Sequence, residues 1–163
     1  MAFWSDKTLE PLRKFRFQVT FAGDTIWYAK TVSKPSFDVT QSEYQLINHK
    51  IKYPGIVTWS DIDIVIVDSV DEGRGTNYYG NLLNSGYDFS GNTTDGIKKK
   101  TKHTNTSFTN VLIQQLDATG TVHETWELIN PFVKSVKFGE LDYSSDDLLE
   151  ITITVAYDSA TLT

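Results

Sequence analysis

Alternation between apolar and polar residues is the dominant pattern in this chain, and it predicts β-strands. Residues 14–21 alternate strictly, with phenylalanine and valine on one side and lysine, arginine, glutamine and threonine on the other. Residues 149–157 repeat the pattern, with isoleucine and valine opposite glutamate and threonine. Side chains of a strand point to opposite faces in turn, so each segment has one face for a core and one for water.

Turn residues and weaker alternation divide the rest of the chain. Further strands are predicted at residues 25–32, 58–67, 108–116, 121–128 and 132–136. Glycine-containing turns at residues 22–24 and 117–120 join neighbouring strands into hairpins. A short helix is predicted at residues 76–84, where Thr76 can act as the N-cap.

Two long segments lack a strong pattern. Residues 36–56 are polar and irregular, with apolar side chains spaced as in an extended arm. Residues 85–106 are rich in Gly, Asn, Thr and Ser, as in a surface loop. No repeat and no linker interrupts residues 1–163, which are expected to form one domain. The predicted fold is mainly β, with two packed antiparallel sheets in a sandwich or barrel and one short helix.

Composition argues against several classes of function. The chain has 163 residues and a net charge of -6, whereas a general nucleic-acid binder of this size is usually basic. It contains no cysteine, which excludes disulfides, thiol catalysis and cysteine metal sites. No segment reaches the roughly 18 apolar residues of a membrane span, and the first residues lack the pattern of a secretory signal. We therefore expect no membrane partner.

Asp61 and Asp63 are the first candidates for a metal site or an acid–base pair, because residues two apart on a strand share a face. No histidine or third carboxylate lies close in sequence to complete such a site, and no nucleotide-binding or nucleophile motif occurs. We therefore expect no catalytic residue, no metal and no cofactor. The polar strand faces that carry Asp61, Asp63, Glu150 and Thr152 are expected to meet water or a wet cavity.

The densest positive cluster lies in the loop-like segment. Its lysines are Lys98, Lys99, Lys100 and Lys102. Two interpretations stay open for this cluster: a solvated loop, or a contact with phosphate or an acidic partner. The tryptophans in predicted strands suit a core or an interface better than a ligand platform.

Four blocks of the sequence resemble the tail tube protein family of contractile-tailed bacteriophages and related contractile injection systems. The blocks are residues 14–21; Ala29, Pro35 and Val39; Asn48, Lys50, Ile51, Gly55, Thr58, Trp59 and Asp61; and residues 130–133 with 139–143 and the strand to Tyr157 and Asp158. Their order and spacing extend over nearly the whole chain. Residues 85–106 depart from the resemblance, because they are looser and lack the helical pattern expected there.

The resemblance implies a homohexameric ring in which one sheet of each subunit joins its neighbours in a closed inner barrel. Rings would stack into a hollow tube, started at a baseplate hub or initiator and surrounded by a tail sheath protein. The lumen would pass a tape measure protein and then DNA, without binding either specifically. Such a subunit would be assembled in the host cytoplasm and would belong to the virion.

The resemblance also implies residue roles. The lumen-facing residues would be Asp61, Asp63, Glu150 and Thr152. The residues of the ring-stacking arm would be Phe37, Tyr44, Asn48, Lys50 and Tyr53. The outer surface that meets the sheath would carry Lys98, Lys99, Lys100 and Lys102. An acidic inner wall suits this role, because DNA must slide past it without phosphate contacts.

Three alternatives stay open at this point. Two are related tube proteins, namely a tube initiator of the baseplate and the tube subunit of a secretion system or injection particle. The third is a monomeric β-sandwich that binds carbohydrate through its tryptophans. An enzyme is the least favoured class, because no catalytic constellation is recognisable.

Overall fold

The computed structural model describes residues 11–21, 24–69 and 111–163, and every regular element in these ranges is a β-strand. The strands are β1 (Phe17–Phe21), β2 (Asp24–Ile26), β3 (Ala29–Val32), β4 (Phe37–Leu46), β5 (His49–Trp59), β6 (Ile62–Val67), β7 (Val111–Leu116), β8 (Val122–Ile129), β9 (Phe132–Lys137), β10 (Glu150–Ala156) and β11 (Ser159–Leu162). The mainly β prediction is confirmed for these ranges. The helix predicted at residues 76–84 and the loop at residues 85–106 lie outside the described residues.

Two antiparallel sheets form the body. The five-stranded sheet has the order β11-β8-β7-β1-β2, and the four-stranded sheet has the order β3-β6-β10-β9. Apolar residues oppose each other across both, as Val19 opposes Ile113 in the first and Ile64 opposes Ile153 in the second. The buried faces of the two sheets contribute to one hydrophobic core.

The core consists mainly of β-branched residues, which pack well on a pleated surface. Its fully buried side chains are Ile62, Ile64, Ile66, Leu128, Ile151, Ile153, Val19, Val111 and Val155. Burying each of these side chains stabilises the fold by about 1.5–3 kcal/mol. The strict alternation of β6 and β10 therefore holds the four-stranded sheet in register, because a slip of one residue would expose all their isoleucines.

A salt bridge joins the two sheets at their edge. Lys34, just after β3, donates to Glu124 of β8 at 2.8 Å. The indole Nε1 of Trp126 donates to the same carboxylate oxygen at 2.6 Å. The lysine holds the pKa of Glu124 below its usual value, so the carboxylate is ionised in the folded protein.

Two segments that were each predicted as a single strand are divided into two strands in the structure. Residues 25–32 divide at Trp27 and Tyr28 into β2 and β3, which belong to different sheets. Residues 58–67 divide at Ser60 and Asp61 into β5 and β6, which also belong to different sheets. In both places the chain has to turn from one sheet to the next, and apolar alternation alone does not show such a turn.

Residues 36–56 were expected to be irregular, and that expectation is wrong. They lie largely within a regular antiparallel hairpin of β4 and β5, which forms a separate two-stranded sheet. We call β4 and β5 the arm. Nearly all of its residues are exposed, and among the described strands β4 and β5 pack substantially only on each other.

Candidate assembly surfaces

The outward face of the four-stranded sheet is mostly polar, although Val65 and Val67 of β6 also lie on it. The buried isoleucines of β6 and β10 alternate with residues that point away from the core, among them Asp63, Glu150, Thr152 and Thr154. Asp63 accepts a hydrogen bond from the Thr154 hydroxyl at 2.7 Å across the β6–β10 pair. The prediction of one polar and one apolar face agrees with β10, whereas on β6 only Asp63 is a polar outward residue.

Two lysines join this face through β-bulges on the edge strands. Lys30 is the extra residue of a bulge in β3, and Lys134 is the extra residue of a bulge in β9. Lys30 binds Glu150, and Lys134 donates to Asp61 at 2.5 Å. A bulge places an additional residue on a strand and redirects its side chain. Both lysines reach past the adjacent strand, Lys30 to Glu150 of β10 and Lys134 to Asp61 just before β6.

These ion pairs change the expected charge of the face. The hydrogen bond to Glu150 and the charge of this carboxylate raise the pKa of Lys30, so the lysine is fully protonated at neutral pH. Asp61 and Glu150 each lie against a lysine, and Asp63 lies against a hydroxyl. The face is therefore hydrated and closely charge-balanced, rather than uniformly acidic.

Aromatic side chains join the base of the arm to the body. Phe37 of β4 packs against Trp59 of β5 with ring centroids 5.1 Å apart. Trp59 in turn packs against Tyr157, next to the end of β10, at 5.9 Å. Burial raises the pKa of the Tyr157 phenol, and the charge of Asp61 adds to this shift. This row of rings fixes where the arm leaves the body, at the end of the four-stranded sheet where β6 begins.

The outer half of the arm, residues 41–54, is amphipathic. Its apolar face carries Tyr44, Leu46, Ile51 and Tyr53, of which Tyr44 and Ile51 are direct cross-strand partners. The partners of Tyr53 and Leu46 on this face are Ser42 and His49. Tyr44, Leu46 and Tyr53 are each more than half exposed. The opposite face carries Glu43, which lies 3.2 Å from Lys50 and 3.8 Å from Lys52. One carboxylate thus forms salt bridges with two lysines, and the outer half carries more positive than negative charge.

A bulge in the middle of the arm moves the apolar side chains from one face to the other. Gly55 and Ile56 both oppose Thr40, and the Thr40 hydroxyl accepts a hydrogen bond from the Ile56 backbone N–H at 2.8 Å. A Cβ on Gly55 would lie 2.5 Å from that hydroxyl, so only glycine fits without a shift. Near the base, Val39 and Val57 are apolar neighbours on the face that carries charge farther out.

The tip of the arm is a two-residue turn of Ile47 and Asn48. Ile47 has a φ of 48°, although a β-branched side chain is strained in the left-handed region. Its side chain is 86% exposed, so no packing within the described structure compensates for this strain.

The predicted site residues fall into three groups. Asp63, Glu150 and Thr152 share the polar face, whereas Asp61 lies in the break before β6 rather than inside a strand. The residues assigned to the arm all lie on β4, β5 or their turn; they are Phe37, Tyr44, Asn48, Lys50 and Tyr53. The lysines assigned to the outer surface lie outside the described residues; they are Lys98, Lys99, Lys100 and Lys102.

Sequence reasoning missed the lysines of the polar face. The signal was present, because Ala29 and Val32 are three residues apart, as are Val133 and Val136, and each pair faces the core. A spacing of three between inward residues of a short strand indicates a bulge.

The surfaces carry no recognisable reactive chemistry in the part of the chain that the structure describes. No group of three or more metal-ligating side chains occurs there. The described residues also include no helix long and apolar enough to cross a membrane. Charge pairs, hydroxyls and exposed aromatic rings are the groups that these surfaces offer, and they are suited to contacts between proteins.

A family model described as T4-like virus tail tube protein gp19 matches residues 13–161. The match includes all eleven strands except the last residue of β11. No curated protein matches the chain.

Solved structures of contractile injection systems share the fold. The sheath/tube terminator of the extracellular contractile injection system PVC is 18% identical, with a TM-score of 0.71, over 95% of this chain and 98% of that chain. The tube-terminating cap of the anti-feeding prophage is 18% identical, also with a TM-score of 0.71, over 100% and 99%. A chain of the PVC sheath-tube complex is 18% identical, with a TM-score of 0.66, over 94% and 91%.

Proposed function

We propose, because the chain belongs to the T4-like virus tail tube protein gp19 family, that it is a structural subunit of a contractile tail tube. The observation that carries this proposal is the combination of a polar-faced sheet with an exposed arm on one body. An enzyme needs a pocket with convergent reactive groups, whereas a tube subunit needs a hydrated wall and contacts to neighbouring copies.

The four-stranded sheet forms the wall of the channel in this proposal. Its outer strands, β3 and β9, each pair on one side only within the described residues. In a hexameric ring, β9 of one subunit would pair with β3 of the next and close the sheet into a barrel. Closure removes edges that would otherwise promote aggregation.

The polar face with Asp61, Asp63, Glu150 and Thr152 then lines the lumen. A wall whose charges are already paired offers few free lysines to phosphate, so DNA can pass without being held. The tape measure protein would occupy the same channel before the DNA. The subunit belongs in this proposal to a virion or an injection particle assembled in a host cell.

The arm provides the contact between rings. An isolated two-stranded hairpin is at best marginally stable in water, so the apolar face of the outer half needs a cover. A neighbouring ring would supply it, and the sheath and the baseplate hub would bind other surfaces of the finished tube.

Shortening the arm tests the proposal. Replacing residues 42–53 with an Asn-Gly turn joins Gln41 to Pro54, which are already cross-strand partners. The shortened protein should fold and form single rings, because the body is intact, but it should not stack. The matched control replaces only Ile56, an exposed residue of the arm outside its outer half, with threonine, and it should stack as the parent does. Long tubes from the shortened protein, seen by electron microscopy, would show that the arm is not the stacking element.

A second candidate function is a tube-terminating subunit. Structural neighbours include a terminator and a terminating cap, each with a TM-score of 0.71, above the 0.66 of the sheath-tube chain. A terminator would form rings that do not extend by themselves, whereas a tube subunit would form tubes of many rings. Sedimentation and electron microscopy of the same sample distinguish the two.

A further inference from the structure

The loop between β9 and β10, residues 138–149, has exposed apolar side chains on an ordered backbone. Leu141, Tyr143 and Leu148 are at least 71% exposed. The Asp142 carboxylate accepts hydrogen bonds from the Ser144 backbone and hydroxyl, at 2.9 and 2.8 Å, which fixes the turn around Tyr143. We call residues 138–149 the receiving loop.

Carboxylates border this apolar surface. The receiving loop lines an open groove of about 750 Å³, with Glu140, Asp142 and Asp147 in its wall. Lys30 also lines the groove, but its ammonium group is bound by Glu150. The groove therefore offers negative charge beside exposed leucine and tyrosine.

The arm and the receiving loop lie at opposite ends of the same sheet. The arm leaves beside Trp59, whose ring packs on Tyr157 after the end of β10. The receiving loop enters β10 at the other end, where the Leu149 carbonyl accepts a hydrogen bond from the Asp68 N–H at 3.0 Å. Copies stacked along the strand direction of this sheet thus bring the arm of one copy to the receiving loop of the next.

The two surfaces are complementary in chemistry. The outer half of the arm has one apolar face and, on its other face, an excess of lysine, so a groove that holds the hairpin contacts both. The receiving loop has apolar residues beside an excess of carboxylate. We infer that the receiving loop of a second copy of this chain binds the outer half of the arm, with Lys50 and Lys52 opposite the carboxylates of the loop. Such a head-to-tail contact uses two different surfaces and extends without limit, as a tube requires. This inference rests on the proposed function and names the partner surface of the arm.

Charge reversal on both surfaces is the test. One variant carries Lys50→Glu and Lys52→Glu, a second carries Glu140→Lys and Asp147→Lys in the groove wall, and the third combines them. Each single-surface variant should raise the subunit concentration needed for stacking by about tenfold or more, because like charges then face each other. The combined variant should stack at nearly the concentration of the parent, because opposite charges again face each other. The control Glu127→Lys reverses an exposed carboxylate of β8 and should leave stacking unchanged.

Disulfide trapping identifies the contact directly, because the natural chain contains no cysteine. A Lys50→Cys chain mixed with a Glu140→Cys chain should give a mixed covalent dimer under oxidation, whereas Lys50→Cys mixed with Glu127→Cys should not. Parent tubes without a mixed Lys50→Cys/Glu140→Cys dimer, and without recovery in the combined charge variant, would overturn the inference and leave the proposed function intact. A parent that forms neither rings nor tubes would overturn both.

Discussion

Ile47 is a residue whose backbone conformation destabilises the free subunit. Its φ of 48° costs the free hairpin stability, and its side chain is 86% exposed. Asparagine and glycine are the residues that ordinarily occupy such a turn position. A strained, exposed isoleucine is understandable if the tip contacts another copy, because the contact then supplies the packing that the free subunit lacks.

Replacing Ile47 with asparagine should therefore stabilise the arm of the free subunit. The gain should be about 1 kcal/mol, since asparagine tolerates the left-handed region. Amide hydrogen exchange across β4 and β5 measures it, as slower exchange in the variant. Ile56→Asn is the control, because Ile56 is also exposed but has no positive φ. Equal or faster exchange in Ile47→Asn would show that the turn is not strained.

At the scale of elements, the pattern of the sequence and the structure agree best where a strand has one buried face throughout. β6 and β10 were predicted from alternation because each of their core residues is followed by an outward one. The arm was predicted as an irregular extended segment, because the apolar residues of β4 change from odd to even positions between Val39 and Tyr44, and the alternation of β5 is interrupted at Gly55. β11 was not predicted, because its four residues, Ser159–Leu162, are short and mostly polar, and only pairing with β8 defines them.

The sequence predicted the assembly surfaces only as far as they follow from local alternation. The polar face could be inferred from β6 and β10, but the lysines that balance its charge come from bulges on edge strands. The relation of the receiving loop to the arm depends on strand order, which one sequence does not contain. Contacts between distant segments and between copies are set by three-dimensional packing rather than by local pattern.

The Lys34–Glu124 salt bridge between the sheets gives a pH dependence that can be measured. The folded-state pKa of Glu124 is lowered from 4.5, chiefly by Lys34. Its stabilisation is therefore complete above pH 4.5 and is lost as the pH falls through the lower folded-state pKa. The comparison uses the protein with the shortened arm, with and without Glu124→Gln, in urea unfolding. At pH 6 the free energy of unfolding should be about 0.5–1 kcal/mol higher with Glu124 than with glutamine, and the difference should shrink towards pH 3.

Lys34→Met is the control for this prediction. It removes the main cause of the lowered pKa, so Glu124→Gln in that background should change stability little and with little dependence on pH. A pH-dependent difference of the same size in both backgrounds would assign the effect to another group.

At the scale of the whole molecule, one body carries a mostly polar-faced sheet, an arm at one end and a receiving loop at the other, and the outer strands of the sheet pair on one side only within the described residues. In the proposed assembly these three features serve different directions. The edges β3 and β9 would join subunits sideways into a ring, and the arm and the receiving loop would join rings along the axis. A monomeric carbohydrate-binding sandwich would need none of these, whereas a tube subunit needs all of them.

If the four-stranded sheet lines the lumen as proposed, the charge balance of its outward face predicts how assembled tubes interact with DNA. Replacing Asp61 and Asp63 with lysine leaves Lys134 without its carboxylate and puts unpaired positive charge on every subunit of the wall. Variant tubes should retain short duplex DNA, and retention should weaken steeply with salt. Parent tubes should retain little duplex DNA. The control Glu127→Lys, which lies outside this face, should also retain little. Equal retention by all three would place Asp61 and Asp63 away from the lumen.

Electron microscopy of the purified protein, with a reconstruction of whatever it assembles into, tests the central claim most directly. The account predicts six-fold rings or stacked tubes whose channel is lined by the four-stranded sheet, with Asp63 and Thr152 facing the lumen. A protein that stays monomeric at every concentration, or rings that carry these residues on the outer wall, would contradict it.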